Sequence, residues 1–319
     1  MSQNQHVTPP VAVKIPHVTS IHNITLQDDF SWLRGKEKPE VIAYLNAENA
    51  FTESVMHDTK SLQEQLYNEL RGRIKETDQT APDQMDDYYY YSRTEAGKQY
   101  TIYCRKHGSL DAPEEIILDV NVLAEAHPFF TLGTLRVSPN HKLLAYSYDI
   151  DGSERYRIAV KDIASNTLHS DLLEEATGSL VWLNDNKTFI YTLLDEAFRS
   201  YKVLRHTLGE DQKKDLLLLH ENDESYSIGI DKTKDNSILL IGIESSTTSE
   251  FHFANADGDC NSLTIFAPRV HEIEYQIDAA NGNFYIKTNK NAKNFKLMSV
   301  PIVNFSSNEW SEVIPHRPD

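Results

Sequence analysis

The sequence has little cysteine and no long apolar run. Its 319 residues include two cysteines, Cys104 and Cys260, which are far apart and form no Cys-x-x-Cys pair. A chain of this length needs no disulfide for stability, so two thiols indicate a reducing compartment. The longest uninterrupted apolar run, Val41–Leu45, is too short to span a bilayer, and residues 1–16 lack the apolar core of a signal peptide. These absences predict a soluble, cytoplasmic protein.

Basic side chains are also scarce. Lysine and arginine total 31 against 48 aspartates and glutamates, which gives a formal net charge of −17. Nucleic acid and anionic membranes would be repelled by this charge, so neither is expected as a partner. The charge would suit a cationic substrate, although on charge alone an ordinary acidic soluble protein is the favoured interpretation. Hydrophobic residues make up 39% of the chain, which excludes a disordered polymer.

The common catalytic and cofactor motifs are absent. None of the 12 glycines begins a Gly-x-Ser-x-Gly nucleophile turn, a Gly-x-Gly-x-x-Gly loop or a phosphate-binding P-loop. His206 lies on a predicted strand without a neighbouring nucleophile, so we interpret it as a structural histidine. Other pairs resemble fragments of metal sites but lack the further ligands such sites need: Cys104 with His107, His17 with His22, His220 with Glu221, and His271 with Glu272. The chain is therefore expected to contain no catalytic, cofactor-binding or metal-binding residue.

Acidic residues cluster in predicted hairpin turns. Asp149, Asp151 and Glu154 share one turn, and Asp195 and Glu196 share the next. They could line a channel and attract basic peptides, or they could simply be solvated turn residues. We keep Asp149, Asp151 and Glu154 as candidates for channel electrostatics.

Residues 1–76 show helical periodicity. Proline at position 39 begins an apolar repeat at spacings of three and four that predicts an amphipathic helix; its members are Val41, Tyr44, Ala47, Phe51 and Val55. A second predicted helix begins with Ser61 and Glu64 as a capping box. Its apolar positions recur every four residues, at Leu62, Leu66, Leu70 and Ile74.

Residues 77–319 show strand periodicity and an internal repeat. Each repeat has an apolar strand, a polar turn and a second alternating strand; the five copies are Asp86–Lys106, Leu144–Asp162, Phe189–Leu208, Ile238–Ala256 and Phe284–Pro301. Equivalent markers are spaced by 56, 45, 49 and 46 residues, at Tyr89, Ala145, Ile190, Leu239 and Tyr285. Propeller blades have periods of about 40–50 residues, so we predict a mainly β chain with five blades. A β-sandwich would not explain the repeat. The segment Val313–Asp319 is polar and proline-rich, and we expect no strand there that closes a ring.

Several long segments, which follow one another in order along the chain, resemble the prolyl oligopeptidase family of serine peptidases, in particular its oligopeptidase B branch. These segments are Asp28–Gly35, Tyr88–Arg105, Ile117–Gly133, Val137–Asp162, Val181–Gly209, Ser249–Glu250 and His316–Asp319. The resemblance implies a seven-bladed propeller covering a C-terminal α/β-hydrolase domain, which carries the catalytic triad and the acidic residues that select Lys or Arg. Residues 1–76 would then pack on that domain, and residues 77–319 would be an incomplete propeller. The expected function is the gate of a peptidase that cleaves short basic peptides, without activity in this chain alone.

Two other functions are compatible with the sequence. Five blades are an allowed number for a propeller, so the chain could be an independent interaction scaffold. The complete protein could also be a family member that cleaves after proline, because the residues that decide specificity are expected outside this segment.

Overall fold

The structure is a computed structural model that describes residues 8–306 and 309–318. The chain divides into two compact units, with the boundary between Glu76 and Thr77. Unit 1 contains a β-hairpin and two helices: β1 (Val18–Ile21), β2 (Ile24–Gln27), α1 (Pro39–Met56) and α2 (Lys60–Gly72). The hairpin was not predicted. It turns at His22 and Asn23, which both have positive φ.

Both predicted helices are present, with corrections at the start and the end of the second. Helix α1 begins at Pro39, whose fixed φ suits the first helical turn. The prediction of a capping box at Ser61 and Glu64 is wrong. Helix α2 begins at Lys60, and its N-cap residue is Thr59, which makes no side-chain capping bond. Ser61 is therefore already inside the helix.

The apolar stripe of α2 is open to solvent within unit 1. Its members Leu62, Leu66 and Leu70 are 54%, 46% and 60% exposed. The predicted fourth member, Ile74, lies beyond the end of α2 at Gly72 and is 66% exposed. Helix α1 is better covered, because Val41 is buried and the Tyr44 ring meets the Trp32 ring edge-on, at a centroid distance of 6.1 Å. The burial of apolar surface that normally stabilises an amphipathic helix is thus largely missing for α2.

Unit 2 contains three four-stranded antiparallel sheets and one seven-stranded antiparallel sheet, in which two blades share a long strand. These make five blades, which confirms the predicted propeller architecture. Blade 1 has β3 (Asp83–Met85), β4 (Tyr88–Arg93), β5 (Ile102–His107) and β6 (Glu115–Asp119), followed by the short helix α3 (Val120–Ala124). Blade 2 has β7 (Thr131–Val137), β8 (Leu143–Asp149), β9 (Tyr156–Asp162) and the first half of β10 (Leu168–Trp182). Blade 3 has the rest of β10, β11 (Thr188–Leu194), β12 (Ser200–Thr207) and β13 (Leu216–His220).

The last two blades repeat this order. Blade 4 has β14 (Ser227–Lys232), β15 (Ile238–Glu244), β16 (Ser249–Asn255) and β17 (Thr264–Ala267). Blade 5 has β18 (Tyr275–Ala280), β19 (Asn283–Thr288), β20 (Lys296–Pro301) and β21 (Ser311–Ile314). Strand β21 pairs with β20, so the segment Val313–Asp319 starts with the end of a strand. That strand completes blade 5, and no pairing of β21 with β3 occurs between the described residues.

The long strand β10 passes from the outer edge of blade 2 to blade 3. Its first half pairs with β9 and its second half with β11, and the register shifts between Ala176 and Leu180. Gly178 lies in this shift with φ of +90°, and a Cβ atom there would lie 3.1 Å from the Tyr156 ring. The crossing therefore needs a residue without a side chain.

Apolar side chains fill the space between each consecutive pair of blades. Between blades 2 and 3, Trp182 and Phe189 pack with residues of β8 and β9, while their neighbours Val181 and Ile190 pack against blade 4. Successive strand residues point to opposite faces of a sheet, so a blade with neighbours on both sides needs apolar residues at consecutive positions. This explains the near-continuous apolar runs in β11 and β15.

Candidate functional site

The candidate site is one face of the propeller. Strand direction alternates within each blade, so the turns between second and third strands lie on the same face as the links between blades. We call the face that carries these links and the turns between second and third strands the hairpin face. The opposite face, which carries the other turns of each blade, is the far face. The chain enters β3 from the hairpin face. The acidic turns identified in the sequence all belong to it, because they connect β8 to β9 and β11 to β12.

The turn between β8 and β9 contains the three predicted channel residues. Asp149 is buried, and its carboxylate accepts bonds from the backbone N–H groups of Asp151 (2.9 Å), Gly152 (3.0 Å) and Glu154 (2.9 Å). Asp151 and Glu154 are exposed. Hydrogen bonds from the Ser153 side chain and backbone lower the pKa of Asp151. Asp149 therefore shapes the turn, while Asp151 and Glu154 present their carboxylates to solvent.

Two arginines tie the hairpins of blades 2 and 3 to the links between blades. Arg155 donates to Glu175 (2.7 Å) and to the carbonyl of Asp195 (3.0 Å). Arg199 donates to the Asp195 carboxylate at 2.9 Å and to backbone carbonyls of the next link, at residues 221, 223 and 226. Both guanidinium groups are mostly covered, so they act as fixed crosslinks rather than as free charges.

A third arginine neutralises two buried acids, one in the link between blades 3 and 4 and one on blade 4. Arg269 donates to Glu221 at 2.5 Å and to Glu250 at 3.3 Å, and its guanidinium lies 4.2 Å from the centre of the Tyr226 ring. Burial opposes the charged form of Arg269, but the two carboxylates outweigh it and raise its pKa. Several of the acids on the hairpin face are thus already paired with cations of the protein.

A cavity of about 750 Å³ opens on this face beside the turn between β11 and β12. It is lined by Glu196, Phe198 and Arg199 from the turn and by Glu224 from the link between blades 3 and 4. Glu196 and Glu224 are exposed. In the described part of the chain, neither carboxylate has a salt-bridge partner.

His206 belongs to a buried cluster away from this cavity. Its imidazole lies between Asp215 (2.7 Å from Nδ1) and Asp171 (3.0 Å from Nε2), and all three side chains are 1% exposed. The Tyr191 hydroxyl donates to Asp215 at 2.7 Å. Burial disfavours the imidazolium, but the bonds to Asp215 and Asp171 outweigh it and raise the pKa of His206. No nucleophilic side chain bonds to this imidazole in residues 8–306, which supports the structural interpretation.

Neither metal chemistry nor thiol chemistry has a candidate centre in the ranges that the structure covers. No group of three or more His, Cys, Asp or Glu residues there could hold a metal ion. Cys104 and Cys260 are buried free thiols, and burial raises the pKa of each to about 11. No helix in those ranges is long and apolar enough to cross a membrane.

Comparison with known proteins places the chain in a family. Residues 9–319 match the model described as "Prolyl oligopeptidase, N-terminal beta-propeller domain". Dipeptidyl aminopeptidase BI of Pseudoxanthomonas mexicana is 34% identical over 98% of this chain and 46% of its own length. Protease 2 of Moraxella lacunata is 33% identical over 93% of this chain and 44% of its own length.

The fold is also similar to that of a solved structure of an oligopeptidase. The structure of oligopeptidase B from Leishmania major superposes with a TM-score of 0.90 at 31% identity, covering 97% of this chain and 46% of that protein. The chain thus spans about half the length of the relatives that it matches.

Proposed function

We propose that this chain is the gate of an oligopeptidase that cleaves short peptides after Lys or Arg. The chain belongs to the prolyl oligopeptidase family of serine peptidases and corresponds to the N-terminal β-propeller domain of that family. The observation that carries the proposal is the likeness to protease 2 and oligopeptidase B along nearly the whole chain. The rest of the protein would supply the serine nucleophile, its histidine base and the oxyanion hole.

Exposed apolar surface on unit 1 supports a hydrolase domain as its partner. The α2 stripe is open, and the β1–β2 hairpin exposes Val18, Ile21, Ile24 and Leu26. Within the hairpin, Ile21, Ile24 and Leu26 share one face, and exposed apolar faces often mark an interface. We propose that residues 1–76 brace the hydrolase domain and that residues 77–319, completed by further blades, form the channel above its active site.

The hairpin face is the side that would meet the hydrolase domain, because the chain enters the propeller there and each fourth strand returns there. A peptide reaching the active site would pass its acidic groups. Among them, Asp151 and Glu154 keep exposed carboxylates, which we propose attract basic peptides over long distances. With both thiols buried and unpaired, we also propose a cytoplasmic location.

The proposal is tested with the full-length protein and matched fluorogenic peptides that differ only in Arg, Lys or Pro before the cleaved bond. We expect hydrolysis after Arg and Lys, blocked by a serine-directed phosphonylating reagent, with kcat/KM falling as ionic strength rises. The same Arg-containing sequence inside a folded protein should not be cleaved, since the channel excludes it. Cleavage only after proline would replace the specificity, and a stable full-length protein without hydrolysis would reject the peptidase assignment.

A further inference from the structure

We infer that a cavity between blades 2 and 3 is a binding site for a small organic amine, with Asp171 as the acceptor of its ammonium group. The cavity has a volume of about 610 Å³, within the range of small-molecule sites. It lies between the first half of β10 and strands β11 and β12, beside the turn between β12 and β13 on the far face. This site is separate from the hairpin face, so its occupation does not depend on the proposed peptidase function.

One buried carboxylate oxygen in the lining of this cavity has no hydrogen-bond donor. Asp171 lines the cavity with a side chain that is 1% exposed. Its Oδ1 atom accepts bonds from His206 Nε2 at 3.0 Å and from the backbone N–H of Gly209 at 2.5 Å. Within the described residues, no donor reaches its Oδ2 atom. A buried acceptor without a partner loses its hydration without compensation, so a donor from outside the chain would be bound there favourably.

The surrounding charges favour a cation as that donor. Burial disfavours the imidazolium of His206, but its bonds to Asp215 and Asp171 outweigh burial and raise its pKa. With the ring protonated, two carboxylates face one cation, so the cluster has one excess negative charge. With the ring neutral, the excess is larger. Lys213 also lines the cavity, but in the described structure the ion-pair partner of Asp171 is His206.

The single free oxygen distinguishes an ammonium group from other cations. A guanidinium group typically binds both oxygens of a carboxylate, but Oδ1 of Asp171 already accepts two bonds. A metal ion needs several ligating side chains, and the described residues contain no group of three or more His, Cys, Asp or Glu that could hold one. An ammonium group is a compact point charge that donates to one oxygen at a time. It therefore matches the oxygen that Asp171 leaves free.

Apolar side chains beside Asp171 define the rest of the ligand. Leu193 and Leu204 line the cavity and are only partly buried by the packing between the blades. An aliphatic stem would cover apolar surface that the propeller leaves in water, which is favourable. The site thus suits an alkylamine or a polyamine. Asp171 belongs to the outer strand of blade 2, while the two leucines belong to blade 3, so a bound amine would connect the two blades.

The test is isothermal titration of the full-length protein with n-butylammonium chloride at pH 7 and constant ionic strength. Two probes with the same stem serve as controls. n-Butanol has no charge, and n-butyltrimethylammonium keeps the charge but has no N–H donor. We expect n-butylammonium to bind more tightly than either control and to raise Tm with its concentration. It should also slow hydrogen exchange in β10 and β12, because it would connect these strands.

Matched variants separate binding at this site from general effects of charge. Asp171→Asn should weaken n-butylammonium binding about ten- to a hundredfold, which corresponds to about 1.5–3 kcal/mol for a hydrogen bond to a charged group. Asp111→Asn removes one negative charge from the exposed turn between β5 and β6 and should leave binding unchanged. Leu204→Thr leaves the charges in place, so it should reduce the gain in affinity from methylammonium to n-butylammonium. Lys213→Met removes a like charge and should tighten binding.

The possible outcomes are distinct. If n-butylammonium binds no better than n-butanol and n-butyltrimethylammonium, water alone satisfies the free oxygen and the amine site is refuted. Unchanged affinity in a folded Asp171→Asn protein would also refute it. If this variant does not fold, unchanged affinities in both Leu204→Thr and Lys213→Met would refute the site instead. None of these measurements depends on peptide hydrolysis, so failure of the amine site would leave the proposed function standing.

Discussion

Replacing His206 with alanine should destabilise the propeller strongly, because it would leave two buried carboxylates without their shared cation. Asp171 and Asp215 are each 1% exposed and contact opposite nitrogens of the ring. One oxygen of Asp171 already has no hydrogen-bond partner. Breaking a buried ion pair by removing one partner costs about 3–5 kcal/mol. For a domain of about 150–250 residues this corresponds to a fall in Tm of roughly 6–20 °C.

The assay is thermal unfolding of the full-length protein, with hydrogen exchange of β10–β12 to localise the loss. His271→Ala is the control, because that side chain is 87% exposed and should change stability by less than about 0.5 kcal/mol. H206A/D171N should recover part of the loss, since one buried charge is removed as well. A fall in Tm of less than about 2 °C, or unchanged exchange in β10–β12, would refute the assignment of an imidazolium held by two carboxylates.

The His206 cluster also predicts how the stability of the protein changes with pH. The pKa of His206 is raised in the folded protein, so its stabilisation is complete below the unfolded value of about 6.5. It is lost as the pH rises through the raised folded value. The difference in stability between wild type and H206A should therefore shrink at alkaline pH, and a difference that grows with pH would contradict this sign.

Two further predictions follow from the backbone and the thiols. Gly178→Ala should lower the free energy of unfolding by about 1–2 kcal/mol, because φ is +90° and the Tyr156 ring lies 3.1 Å from the new methyl group; Gly229→Ala, which meets nothing within 4 Å, should cost less in the same denaturant titration. Cys104 and Cys260 should react with a thiol reagent at pH 8 only after unfolding, since burial raises the pKa of each to about 11, and rapid labelling of the native protein would contradict their burial.

The propeller could be predicted from sequence because its signal is repeated. All five markers lie on the second strand of their blades, from Tyr89 on β4 to Tyr285 on β19. The β1–β2 hairpin was missed because its strands have four residues each and no repeat supports them. The predicted capping box was wrong for a different reason. Ser61 and Glu64 match the sequence pattern, but α2 already begins at Lys60, directly after the short turn His57–Thr59 that follows α1.

The candidate site was harder to predict because charge pairing on the hairpin face is not local. A count of acids in turns selected Asp149, but its carboxylate already accepts hydrogen bonds from backbone N–H groups of the same turn. It could not show that Glu221 and Arg269, 48 residues apart, neutralise each other. Glu224 was missed because the sequence places it in an unremarkable link between strands. The sequence did indicate Glu196 as part of an acidic turn, and Phe198, a bulky side chain in the same short polar turn, could also have been noticed. The carboxylates that can bind a cation are those whose neighbours from other blades leave them unpaired, and only the tertiary structure shows which these are.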